Sequence, residues 1–139
     1  MTHLLWLAKM TGELVTGFWP GSIVSAAIPT VVLTYSRIHR GPFWPSLWRT
    51  LTVGFVFPIA MLLYGWLFAH TDNHLAAPHV TLRSNVIYGV LLLQVITLAC
   101  LCLKHRQDWG VILAMGVPQL WLAWCAGFVA AMSVTNVWL

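Results

Sequence analysis

Long, nearly unbroken apolar runs alternate along this chain with short clusters of polar and basic residues. Four runs stand out, at residues 14–36, 50–69, 85–103 and 109–133. At a rise of 1.5 Å per residue, each covers roughly the 30 Å of a bilayer's hydrocarbon core, the third most tightly. None shows the period-two alternation over about ten residues that a barrel strand requires. Backbone in hydrocarbon must satisfy its own hydrogen bonds, so the pattern predicts an all-α integral membrane protein, one bundle of about four transmembrane helices. Pro29, Pro58 and Pro118 fall inside the first, second and fourth runs and are expected to kink them. The third run has no proline and is the expected straight strut.

Residues 1–13 read differently. Lys9 and Glu13 stand four apart, on one face of a helix turn, with Trp6 beside them as an interfacial anchor. These two charges interrupt the apolar stretch and no basic stretch precedes it, so an interfacial helical segment is expected rather than a cleaved leader. No linker or second domain is apparent in the 139 residues.

Composition sharpens this picture. Charged residues make up 7% of the chain and hydrophobic ones 60%, against roughly 25% charged in an ordinary soluble domain. A small soluble fold cannot hide so much apolar surface. The net charge of +4 comes from basic residues scattered beside apolar runs, with no dense basic tract, so nucleic acid is not an expected partner. Arg37, Arg40 and Arg49 follow the first run and Lys104 and Arg106 follow the third; the opposite side carries only Lys9 and Arg83. The positive-inside bias then puts the first and third links in the cytoplasm and both termini outside, with a prokaryotic inner membrane as the expected location. Trp44, Trp48 and Trp109 fall at the inner interface, and Trp6, Trp66 and Trp138 at the outer one. Cys100, Cys102 and Cys125 lie within apolar runs without metal-site or disulfide spacing.

Candidate chemistry is sparse. The densest cluster is His70, Asp72, His74 and His79, in the expected outer loop; imidazole and carboxylate together suit a transition metal. The spacing is also ordinary for a polar loop, since H-x-x-x-H without a glutamate is not the metalloprotease motif. Heme needs two histidines at one depth on facing helices. His39 and His105 share the inner side, and His70, His74 and His79 share the outer side. A metal- or heme-holding membrane subunit is thus one alternative. Glu13 lies at the outer end of the first run, as a coupling carboxylate for a small homo-oligomeric transporter or as an interfacial group beside Lys9. Gln94 and Gln119 are uncharged polar groups inside the third and fourth runs, expected to bond across helix interfaces or to contact a substrate.

Packing signals are denser. Ala123, Gly127 and Ala131 form a stripe of small residues at successive i+4 steps, and Gly17 and Gly21 form a GxxxG, though Pro20 between them disturbs a regular helix face. Trp121 and Trp124 lie deeper than the aromatic belts, one turn apart, with indole N–H groups that need acceptors on protein or at the lipid interface. No nucleophile–base pair, paired carboxylates or phosphate-binding glycine loop is visible, so no enzymatic activity is expected. The reading that fits the sequence is a small accessory or scaffold subunit, partnered by lipid and by other membrane-protein subunits.

Overall fold

The computed structural model describes residues 2–40, 44–68 and 78–135. Within them the chain is helical, in five segments: α1 (Thr2–Gly17), α2 (Trp19–Arg40), α3 (Trp44–Leu67), α4 (Pro78–Lys104) and α5 (Trp109–Thr135). Among the described residues, two stretches, Leu82–Lys104 of α4 and all of α5, are long and apolar enough to cross a membrane. They become three if α1 and α2 count as one bent span.

That bend corrects the first expected boundary. Residues 14–36 are not one helix, because α1 and α2 meet at Phe18 with an angle of 83° between them. Pro20 supplies the reason. It has no N–H for the Thr16 carbonyl, and its ring would collide with that carbonyl in a straight helix. In the first turn of α2 the same residue costs nothing, since N–H groups there lack helical partners. Pro29, Pro58 and Pro118 behave otherwise: α2, α3 and α5 each run through their proline as one helix.

α5 is the hub and packs against all four other helices, most extensively against α3 and then α4. Its register with both is readable from glycines. A methyl built on Gly65 would lie 2.8 Å from the Cα of Ala130, and one built on Gly54 would overlap the Gln119 side chain. Eleven residues separate each pair, in the same sense, so α3 and α5 run parallel. Beside these contacts, Leu98 approaches Gly116 and Ile87 approaches Gly127, again eleven residues apart but in the opposite sense. α4 is therefore antiparallel to both. Arg83, one turn into α4, lies with its guanidinium 5.7 Å from the Phe68 ring centroid at the end of α3, which ties that end of the hairpin.

The core is built on small residues of α5. Ala123, Ala126 and Ala130 are fully buried and pack with Met61 of α3 and Ile87 of α4; Ala131 lies partly buried at the margin of the cluster. Gly127 is buried between them, with Ile87 and Met61 each close enough to touch an added methyl, at 3.2 and 3.3 Å. Small side chains let the neighbouring backbones come this close. At the far end of the seam, the buried Ser133 hydroxyl donates to the Gly65 carbonyl at 3.0 Å. Asp108 stands at the N-cap of α5, and its carbonyl accepts from the amides of Val111 and Ile112. Threonine hydroxyls fold back on their own helices, Thr11 to Leu7, Thr34 to Thr30 and Thr97 to Leu93, and so need no water.

Gly65→Ala is expected to separate α3 from α5 and destabilise the fold by about 1–3 kcal/mol, as overpacking does. Gly89 has open space around its Cα, so Gly89→Ala should leave the unfolding midpoint in mild detergent unchanged or raise it. Thermal unfolding of the two variants side by side checks the seam.

Candidate functional site

The elbow between α1 and α2 gathers most of the polar and aromatic features that the fold brings together. A helix break exposes carbonyls at the end of the first segment and amides at the start of the second. Here part of that demand is met by side chains. The Ser22 hydroxyl, one turn into α2, donates across the break to the Val15 carbonyl of α1. The Trp121 indole N–H of α5 donates to the Ser22 oxygen at 3.2 Å. Ser25, buried one turn further on, donates to the Ser22 carbonyl at 2.9 Å. A chain of hydrogen bonds thus links the hub helix through a serine to the end of α1.

Aromatic rings extend this contact. Trp121 and Trp124 stack with centroids 5.3 Å apart and an interplanar angle of 16°, and Phe128 continues the stack at 5.9 Å from Trp124. Phe18, at the bend itself, sets its edge against both tryptophans, at 6.5 and 6.2 Å. Gly21 is where α2 meets this wall: a methyl there would lie 2.6 Å from the Trp121 ring. Beside that contact the two helices border a shallow, open groove of about 600 Å³. α2 contributes Pro20, Val24 and Ser25 to it. α5 contributes Val117, Leu120 and the two tryptophans.

The glycines expected to form a GxxxG stripe end up on opposite sides of the break. Gly17 closes α1 with nothing within 4 Å of an added methyl, whereas Gly21 touches Trp121, so they share no helix face. Trp121 finds its acceptor on protein, at Ser22; Trp124 is 43% exposed at the mouth of the groove. Glu13 pairs with Lys9 at 3.6 Å on the outward side of α1, both side chains more than half exposed, an ion pair of little energetic weight.

Gln94 and Gln119 are both buried. Gln119 lies against Gly54 of α3. Gln94 is fully buried on α4, on the same flank as Ile87 and Leu98, and neither end of its amide meets a hydrogen-bond partner among the described residues. Glu13 and Gln94 sit on α1 and α4, which do not pack against each other among the described residues, so the fold does not join them in one site.

His70, Asp72 and His74 lie outside the described residues, as does the side chain of His79, the second residue of α4. Among the described residues, no three His, Cys, Asp or Glu side chains come together as a metal site. Cys125 is buried, Cys102 partly so and Cys100 exposed, all as free thiols.

Sequence reasoning found Trp121 and Trp124 but missed Phe18, Ser22, Ser25 and Gly54. A signal for the elbow was present in Gly17 followed three residues later by Pro20, a helix-stop and helix-start pair. Comparison with known protein families, characterised proteins and solved structures returns no match.

Ser22→Ala removes the link between Trp121 and Val15 and is expected to cost about 1 kcal/mol by leaving part-buried polar groups unpaired. Trp121→Phe keeps the ring contact but loses the donor and should cost less. Thermal unfolding ranks the pair, and two spin labels, one on α1 and one on α2, should report a wider distance distribution in Ser22→Ala than in the parent.

Proposed function

We propose that this chain is a multi-pass membrane protein with four crossings, α1–α2 forming a broken first crossing and α3, α4 and α5 the others, and that it serves as an accessory or scaffold subunit of a larger membrane assembly. The membrane part of the reading is supported by α4. Only 17% of its most apolar stretch is buried within the fold, against 50% for α5. Leu82, Leu92, Leu93 and Ile96 all point outward. Water is a poor solvent for such a helix and hydrocarbon a good one.

The observation that carries the subunit reading is the isolation of α2. Among the described residues it packs against α1 and α5 alone. Ile23, Val31 and Ile38 are each more than half exposed along its length. A helix held only by α5 and α1 leaves the rest of its circumference to lipid or to a neighbouring membrane helix. The polar contacts that join helices, Ser133 to Gly65 and Trp121 to Ser22, are spent on packing the chain itself. Basic residues at positions 37, 40, 49, 104 and 106 then orient the bundle with its termini outside, in a prokaryotic inner membrane.

Extraction of the tagged chain from its native membrane in mild detergent should yield a heteromeric particle of defined composition. A chain that purifies alone as a homogeneous, active homo-oligomer would contradict the subunit reading. In intact cells, a cysteine placed at Arg106 should resist a membrane-impermeant maleimide and react only after permeabilisation.

A further inference from the structure

We propose that the outward edge of α1 is an interface with a second copy of this chain, the two α1 helices packing antiparallel so that Lys9 of each copy meets Glu13 of the other. The inference rests on the membrane reading above, and two copies paired in this way fit inside a larger assembly.

The argument begins with depth. Arg83 and Lys104 bracket a stretch of α4 without charge, twenty-one residues apart, or about 31 Å at 1.5 Å per residue, the thickness of a hydrocarbon core. Leu98 and Ile87 set the register of α4 on Gly116 and Gly127 of α5, which places Trp121 and Trp124 well inside that stretch. Phe18 touches both rings, so the elbow lies inside it too. Gly21 of α2 meets Trp121, and Ser25 and Pro29 stay buried at the next two i+4 steps, so α2 runs along α5. α1 is turned 83° from α2 and packs against both α5 and α3. It therefore crosses the bundle and keeps close to the depth of the elbow.

Polarity comes next. Leu7 and Thr11 are the buried side of α1, and the far side carries Lys9, Glu13 and Thr16. α2 and α4 instead turn Val31 and Leu92 outward. Ions at hydrocarbon depth are costly and face protein partners. Lys9 and Glu13 pair with each other at 3.6 Å, yet their side chains are 73% and 56% exposed, so each keeps hydrogen-bonding sites for a further partner.

Symmetry selects that partner. Two copies of the same topology are related by a two-fold axis along the membrane normal. Such an axis reverses a helix that lies across it, so α1 meets its counterpart antiparallel. A cation four residues before an anion is then complementary to itself, each Lys9 opposite a Glu13. Gly12, between the two, is exposed with nothing within 4 Å of an added methyl, which leaves room for close approach.

The test is oxidative crosslinking of full-length chains in the membranes of cells that express them, with Cys100, Cys102 and Cys125 replaced by Ala. Gly12→Cys should give a band of twice the chain's mass, several-fold above Gly89→Cys on the outward side of α4. Adding Lys9→Glu or Glu13→Lys alone sets like charges across the axis and should lower that band several-fold. The two single reversals, co-expressed with different tags, should crosslink to each other and not to themselves, a rescue that a pair within one chain cannot supply. If Gly12→Cys crosslinks no more than Gly89→Cys, if its adduct has the mass of a different protein, or if the co-expressed reversals fail to pair, the second-copy interface is refuted and the membrane reading stands. If alkaline carbonate strips the chain from the membrane, both are refuted.

Discussion

Close approach of backbones along one face of α5 is the constraint from which the fold follows. Ala123, Ala126, Gly127 and Ala130 present almost no side chain, so Gly65 of α3 and Ile87 of α4 reach the α5 surface directly. In lipid the hydrophobic effect does not drive helices together, because a tail is as good a neighbour as a leucine. What holds them is dispersion between closely fitted surfaces, helped by a few interhelical hydrogen bonds such as Ser133 to Gly65. Flat seams on both helices permit this fit, and the paired eleven-residue spacings show it is kept in register with α3 and with α4. α3 and α5 consequently lie side by side and parallel, with α4 returning between them in the chain.

The elbow follows from the complementary constraint, that backbone polar groups freed at a helix break need other partners. A proline at position 20 makes a continuous helix costly and a break must then be capped. Ser22 reaches back to α1, and Trp121 fixes the serine from the hub. Phe18, at the bend, packs edge-to-face with the tryptophan stack. The groove beside it is lined by the same two helices, from Pro20 to Ser25 on α2 and from Val117 to Trp124 on α5.

Much of the helical layout was legible because apolar run length and helix breakers are local properties of the sequence. The run at 109–133 corresponds to α5, and that at 85–103 lies within α4, which starts seven residues earlier at Pro78. The first run misled because its apolar character continues across Phe18 and Trp19, and hydropathy does not register a bend. Gly17 and Pro20 were the local marks of it. The site was far less legible. Gly54 and Gly65 look like any helix glycines until the facing helix is known, and the partners of Ser22 and Ser133 lie 99 and 68 residues away. Gln94 illustrates the limit from the other side. Its type announces a wish for hydrogen bonds, yet it sits fully buried with neither amide end partnered among the described residues, and nothing in its neighbours along the chain foretells that.

The account stands on hydrocarbon being the medium around α4. Spin labels placed singly along residues 86–96 in lipid vesicles, read for collision with oxygen and with a water-soluble nickel chelate, test this directly. Outward positions such as Leu92, Leu93 and Ile96 should show high oxygen and low nickel accessibility, with minima of both at Ile87 and Gln94 on the buried flank. High nickel accessibility at the outward positions would mean that water surrounds the helix, and the account would be wrong.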